Sequence, residues 1–291
     1  MSIFQMSAMI ETARRYSAWV RTPSASADHF LSLHRTGHPL LMPNAWDIGS
    51  AVLLASLGFE ALATTSGGFA ATMGRLDGSM TQGQVLEHVG VIAAATDLPV
   101  SADLENCFAH DPEGVAETVK QAVDMGVAGC SVEDYSGRND EPIYELAHAA
   151  ERVAAAAEAA HGEGASVVVT ARAENYLHGR PDLADTIARL QAYQEAGADV
   201  LFAPRVVDPD DLRQLLGAVD VPVSVLVLPG APTVAELANL GVSRISVGGA
   251  FAVAAYGAVV NAANELREQG TYGYWDLTAV GGKAVRAAFS R

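Results

Sequence analysis

Pro99-Val-Ser-Ala-Asp-Leu-Glu-Asn-Cys-Phe108 joins a short apolar run to two acids, Asp103 and Glu105. Its first half has the composition of a buried strand, and the acids fall where that strand should end. Residues two apart on an extended chain point to the same side, so both carboxylates are expected to face one pocket. Carboxylates held that close repel each other unless protonated or bridged by a cation. A hard divalent ion such as Mg²⁺, which prefers oxygen ligands, is the economical bridge. An Asp-x-Glu after a strand is also what a polar strand–helix turn looks like, so its surroundings decide.

Those surroundings are rhythmic. Apolar or β-branched runs recur at Pro39–Met42, Ala61–Thr65, Val100–Ala102, Gly129–Val132, Val167–Thr170, Val200–Phe202, Val223–Leu228 and Ile245–Val247. Segments of helical periodicity lie between them, among them Ile48–Leu57, Gly114–Met125, Leu183–Ala196, Asp208–Leu216 and Val234–Leu240. Gly58, Gly126, Gly197 and Gly241 each fall just before the next strand, which is C-cap chemistry at an αβ turn. Eight mostly apolar strands alternating with helices predict a parallel sheet covered by helices, and eight units close a (β/α)8 TIM barrel. A doubly wound open sheet is the alternative, but no G-x-G-x-x-G follows the first strand. The Ala-rich run Leu146–Ala160 reads as an exterior helix without chemistry. Residues 1–25 read as a helical extension, with Arg21–Ser26 as a linker, and 26–291 as one barrel domain with C-terminal helices.

The composition narrows the function. The chain has 291 residues, 50% of them hydrophobic, with 34 Asp and Glu against 18 Lys and Arg. No basic run is present, so neither a nucleic acid nor a membrane surface is expected as partner. No stretch is long and apolar enough to span a bilayer, and the start lacks the pattern of a signal peptide. Two cysteines make neither a disulfide framework nor a zinc spacing, which fits a reducing cytoplasm. Cys130 reads as core. Cys107, beside the acid pair, is a candidate reactive thiol.

Barrel active sites sit at the C-terminal ends of the strands. There the chain places Asn44, Trp46 and Asp47, then Thr64 to Gly68 followed by Arg75 and Asp77, then Asp103 and Glu105. Glu133 and Asp134 follow strand four, and Arg172 and Glu174 follow strand five. Asp47 and Asp134 read as helix caps or surface charges. Asp77, Asp103, Glu105 and Glu133 converging on one mouth call for a cation. Ser66-Gly-Gly68 reads as a loop whose N–H groups approach an anion, and Arg172 as a fixed cation of bidentate geometry. This set suits a small α-oxo acid that chelates Mg²⁺, the ion polarising the carbonyl and stabilising an enolate. The lysines, Lys120 and Lys283, lie away from strand ends, which excludes a Schiff-base aldolase.

Seven stretches taken in order, PNAWD (43–47), TTSGG (64–68), GRLDG (74–78), SADLENCF (101–108), GCSVEDYSG (129–137), TARAENYL (170–177) and AGADVLFAP (196–204), resemble the isocitrate lyase/phosphoenolpyruvate mutase superfamily over about residues 28–280. The resemblance implies a barrel that uses Mg²⁺, with Mn²⁺ as substitute, and makes or breaks C–C or P–C bonds beside an α-oxo acid. It implies a homo-oligomer, a tetramer or dimer, that swaps the eighth helix between barrels. By position, Asp103 matches the acid nearest Mg²⁺, Glu105 the second acid, and Glu133 and Asp77 acids that hold Mg²⁺ through water. Arg172 matches the oxyanion-stabilising arginine. Thr65, Ser66 and Gly67 match the loop that binds the substrate carboxylate, with Trp46 a further substrate-binding candidate.

The departures bear on the reaction. Isocitrate and methylisocitrate lyases carry K-K-C-G-H after strand four, its Cys a general acid; here Asp134–Pro142 has no Cys, Lys or His, which speaks against both activities. Tyr135 is the candidate catalytic acid of this gating loop. Two other readings stay open: a metal-free barrel binding phosphate at Gly230 and Gly248-Gly249, and a non-catalytic oxocarboxylate binder.

Overall fold

The computed structural model describes residues 23–162 and 166–290. Nine short strands run β1 (Leu40–Met42), β2 (Asn44–Ala45), β3 (Leu62–Thr64), β4 (Val100–Asp103), β5 (Gly129–Glu133), β6 (Val168–Arg172), β7 (Val200–Phe202), β8 (Val223–Leu226) and β9 (Arg244–Ser246). All pairs are parallel, in the order β1-β9-β8-β7-β6-β5-β4-β3-β2. Only Pro43 separates β1 from β2. Proline has no N–H to give a ladder, so one barrel strand is cut in two: β1 pairs with β9 and β2 with β3. The expected eight-stranded barrel is therefore present, its first strand in two pieces.

The helices are α1 (Pro23–Ser32), α2 (Ile48–Ser56), α3 (Ser66–Thr72), α4 (Gln82–Ala94), α5 (Pro112–Asp124), α6 (Leu146–Ala160), α7 (Leu183–Glu195), α8 (Pro209–Leu216), α9 (Val234–Leu240), α10 (Ala250–Asn264) and α11 (Trp275–Phe289), with one π turn at Glu265–Gln269. Most starts are set by side chains. Asp47, Thr81, Asp111, Asp182, Asp208 and Thr233 each accept a backbone N–H of the first turn, filling one of the donors a helix N-terminus leaves free. The ends follow the glycine expectation, with Gly58, Gly126, Gly197 and Gly241 all at φ between 82° and 100°.

The extension over residues 1–25 lies outside the described residues apart from its last three. The linker reading is corrected for Pro23–Ser26, Arg21 and Thr22 lying outside the described residues: α1 begins at Pro23, because proline fits the first helical turn, where its N–H is not needed. α1 then closes the N-terminal end of the barrel. Phe30, fully buried, packs with Leu33 on Leu40, Ala61, Ala128, Val168 and Val200, all at or near strand starts. It comes so close that a Cβ on Gly129 would stand 2.7 Å from its ring. The other end of the barrel is left open for a site.

Candidate active site

Arg172, the last residue of β6, stands at the centre of the open end. Its Nη1 donates to Asp103 Oδ1 at 2.9 Å, its Nε to Glu174 Oε1 at 2.8 Å, and its Nη2 lies 3.1 Å from Glu133 Oε2. Its guanidinium carbon lies 5.4 Å from the centre of the Phe202 ring. Burial alone would lower its pKa, but the three carboxylates outweigh that and raise it. Burial in turn pushes Glu133 well above the usual carboxylate range and raises Glu174 as well, with Arg172 pulling the other way on both. Asp103 is shared: its Oδ2 accepts the Ser66 N–H at 3.0 Å, and Ser131 Oγ lies 3.4 Å from Oδ1.

Glu105 reaches this cluster by a different path from the expected one. β4 ends at Asp103, and Glu105 sits in the left-handed region at φ 52°, with Cys107 at 59° and Phe108 at 54°. Such conformations cost roughly 1–2 kcal/mol each in residues that carry a Cβ, so something must hold this turn. Arg152 of α6 does so from a fully buried position. Its Nη1 donates to the Glu133 carbonyl at 3.0 Å and its Nη2 to the carbonyls of Asn106 at 2.5 Å and Ala109 at 3.0 Å. Thr118 Oγ1 adds a donation to the Cys107 carbonyl at 2.7 Å. The helix read as having no chemistry thus supplies the clamp of the acidic turn.

The consequence for Glu105 is electrostatic. Burial first, then Asp103 and Asp77, push its pKa up to about 7. Its Oε1 is buried and has no hydrogen-bond partner. A buried carboxylate oxygen without a partner is expensive, and a cation bound by oxygen ligands would satisfy it. Among the described residues no three acids converge on one ready-made cation position; Asp103 and Glu133 turn toward Arg172 instead. The donor chemistry fits a hard cation, with Asp103, Glu105, Glu133 and Asp77 as the residues that would hold it.

A cavity of about 150 Å³ lies at this end, lined among others by Thr65, Ser66, Asp77, Asp103, Arg172, Arg244 and Gly249. Asp77 is exposed, and its Oδ2 lies 3.2 Å from where a Cβ on Gly67 would sit. The Thr65–Gly68 stretch is corrected from loop to helix: Thr65 caps α3 by accepting the Gly68 N–H. Only glycine fits at 68, since a Cβ there would stand 2.5 Å from Thr65 Cγ2 and 3.0 Å from Trp46 Cβ. Trp46 therefore backs the start of α3 and does not line the cavity. Tyr135 does not line it either; its ring stacks on His178 at 3.8 Å between centres, and His178 Nε2 lies 3.8 Å from Glu174 Oε2. A larger cavity of about 630 Å³, lined by His110, Arg138, Tyr144, His148 and Arg180, contains none of the acids around Arg172.

Two further sequence readings are corrected and one residue gains a role. Asp134 is neither a helix cap nor a surface charge: it is buried, ion-paired to Arg189 at 3.1 Å, and accepts the Tyr193 hydroxyl at 2.6 Å and the Glu174 N–H at 2.7 Å. Cys107 is no reactive thiol, because it is wholly buried and burial pushes its pKa up, away from the thiolate. Glu174, noted at the strand end but given no role, is one of the three partners of Arg172. The spacing of two that brought Asp103 and Glu105 forward holds for Arg172 and Glu174 as well, and was the available signal. The lysines are as expected, Lys120 and Lys283 both exposed on α5 and α11.

A closed parallel barrel whose C-terminal mouth gathers carboxylates around one arginine defines a class of barrel enzymes that work on small acids. The phosphoenolpyruvate phosphomutase family model matches residues 30–267, and the chain belongs to this family, within the phosphoenolpyruvate mutase/isocitrate lyase superfamily. A provisionally assigned lyase/mutase from Burkholderia cenocepacia J2315 is 49% identical, with a TM-score of 0.84 over 87% of this chain and 91% of that one. An uncharacterized protein of Mycobacterium tuberculosis H37Rv, Rv1998c, is 36% identical over 75% of this chain and 81% of its own length. The 2-methylisocitrate lyase of Escherichia coli K12 is 29% identical over 83% of this chain and 88% of its own length.

Proposed function

We propose that the protein is a Mg²⁺-dependent enzyme, Mn²⁺ able to substitute, that acts on a small α-oxo acid through an enolate or oxyanion. The chemistry is that of a C–C or P–C bond lyase or a phosphonomutase. The observation that carries this reading is the juxtaposition of Arg172, held by three carboxylates, with the unpartnered buried oxygen of Glu105 at one barrel mouth. In this reading Asp103, Glu105 and Glu133 hold the metal, and Asp77 assists from the rim. When bound, Mg²⁺ supplies Lewis-acid polarisation of the oxo group. Arg172 faces the oxygen on which negative charge develops, and its acid partners fix its orientation beforehand, which lowers the reorganisation needed in the reaction. Thr65, Ser66 and Gly67 position the substrate carboxylate against the start of α3, with Trp46 behind them. Tyr135, on the loop after Glu133, is the candidate proton carrier, a role that needs its ring to leave the stack on His178 and turn toward the cavity. The loop Asp134–Pro142 lacks the K-K-C-G-H with its cysteine acid that the family resemblance associates with isocitrate cleavage, so isocitrate and 2-methylisocitrate are not the proposed substrates.

The proposed assembly is a homo-oligomer, tetramer or dimer, with a second copy covering the C-terminal helices. Phe251, Val253, Tyr256 and Val259 on α10 and Trp275, Leu277 and Val280 on α11 are all exposed, more apolar surface than an isolated helix pair ordinarily leaves in water. Among the described residues no helix is long and apolar enough to cross a membrane. A cytoplasmic location is part of the proposal, supported by two unpaired, buried cysteines.

The test is turnover of oxaloacetate and phosphonopyruvate with Mg²⁺ and with EDTA, beside 2-methylisocitrate as the excluded substrate. Metal-dependent product from either of the first two is expected. Tight binding without turnover of any would favour the non-catalytic binder, and turnover indifferent to EDTA would overturn the metal reading.

A further inference from the structure

Two cations line the cavity, Arg172 and Arg244, and their surroundings are opposite. Arg172 is enclosed by three carboxylates. Arg244, the first residue of β9 and 3% exposed, has none among the described residues. Its Nε donates to Ser224 Oγ at 2.9 Å and its Nη1 to Thr170 Oγ1 at 3.1 Å, with His34 Nε2 at 3.3 Å. His34 Nδ1 lies 2.9 Å from the Phe30 carbonyl, so the ring proton belongs there and Nε2 offers a lone pair. Burial first, then the charge of Arg244, lower the His34 pKa to about 3, leaving it neutral. Every partner of Arg244 is thus uncharged. Burial and Arg172 draw its own pKa down to about 9, which leaves it protonated at neutral pH.

A charged guanidinium inside a barrel without a counter-charge is costly. A strut between α1 and the strands needs no charge; a neutral residue with one donor would serve. The walls around it are more polar than those of a packed barrel interior, which is ordinarily filled by branched apolar side chains. Ser101, Ser131, Ser246 and Thr64 line the same cavity as Arg244, and Thr170, which it touches, precedes Arg172 by two residues on β6. Met42, Ala63, Phe202 and Leu226 complete a mixed wall, so hydroxyl groups mark part of the way from Asp103 and Arg172 down to an uncompensated positive charge. At roughly 30 Å³ per water, about 150 Å³ admits only a short molecule.

We propose that Arg244 is the anion-binding floor of the site and takes the distal acidic group of a short dianionic oxo or hydroxy acid, whose other end lies among Asp77, Asp103 and Arg172. This rests on the oxo-acid reading above, names its substrate class and adds a specificity-determining residue. The probes are pairs of equal chain length that differ only at the far end: 2-oxoglutarate against 2-oxopentanoate, and malate against 2-hydroxybutanoate. Each is titrated calorimetrically into wild type, Arg244→Lys and Arg244→Met, with Mg²⁺ and with EDTA. A hydrogen-bonded charge pair at a buried site supports a preference of roughly tenfold or more for the diacid in at least one pair. Arg244→Lys should keep most of that ratio. Arg244→Met should bring it close to one while binding the monoacid within about threefold of wild type. Wild type with no diacid preference in either pair overturns the proposal, as does Arg244→Met with the wild-type ratio. Should Arg244→Met fail to fold, the wild-type ratio and Arg244→Lys decide. Binding indifferent to EDTA with the ratio intact would strike the metal reading and leave Arg244 in its role.

Discussion

Replacing Arg152 by Met keeps most of the side-chain volume and deletes the clamp on the acidic turn. The Glu133 carbonyl loses a buried donor, and those of Asn106 and Ala109 lose part-buried ones. A buried acceptor left unsatisfied costs roughly 1–3 kcal/mol, and water can replace part of the loss at the two less buried carbonyls. The Arg152 guanidinium also lies 4.2 Å from the centre of the Tyr144 ring, a contact of roughly 0.5–2 kcal/mol. Relief of the desolvation of a buried charge offsets some of this. About 3 kcal/mol of net destabilisation is expected, which for a domain of this size lowers Tm by roughly 6–12 °C. Scanning calorimetry reads the shift, and titration of Mg²⁺ with oxalate reads the second effect, a weaker metal site because Glu105 is no longer held at φ 52°. A Tm within 2 °C of wild type, with unchanged Mg²⁺–oxalate affinity, would refute the clamp, since roughly 1 kcal/mol or less would then be at stake.

Other outcomes follow from the same geometry. Glu105 has its pKa raised to about 7 in the fold from an ordinary value of 4.5, so its contribution to stability is present at low pH and is lost as pH rises through that window; in EDTA, the Tm of Glu105→Gln relative to wild type should climb between about pH 4.5 and 7 and then level off, and a flat difference would contradict the shift. Gly68→Ala places a methyl 2.5 Å from Thr65 Cγ2 and 3.0 Å from Trp46 Cβ; an overpacking loss of roughly 1–3 kcal/mol should appear in urea unfolding, together with weaker oxalate binding. Val253→Asp with Val259→Asp on α10 should convert a tetramer or dimer to a smaller species in light scattering after size exclusion, and a wild type that runs as a monomer would remove the proposed interface.

How much of this was legible in the chain depended on the range of the interactions involved. The eight strand runs and four glycine stops rest on neighbouring residues, and these local signals placed the barrel. The break at Pro43 was missed because the apolar run ends only one residue before it. Asp103 and Arg172 were found by their place at strand ends. Glu105 was found for a partly wrong reason: the chain turns left-handed after Asp103, and the carboxylate reaches the cluster through that turn. Asp134 was misread because its buried partners, Arg189 and Tyr193, stand 55 and 59 residues away. Arg152 and Arg244 were overlooked for a related reason. Their acceptors are carbonyls, hydroxyls and a neutral imidazole, which carry no charge pattern along the sequence.

Asp103 and its neighbours are proposed to form a metal-dependent site for an α-oxo acid. Calorimetric titration of oxalate into the wild type and into Asp103→Ala, each with Mg²⁺ and with EDTA, tests it most directly. The wild type should bind oxalate only with Mg²⁺ present, and Asp103→Ala should not bind it. Oxalate binding to Asp103→Ala at the wild-type affinity in Mg²⁺ would contradict that proposal.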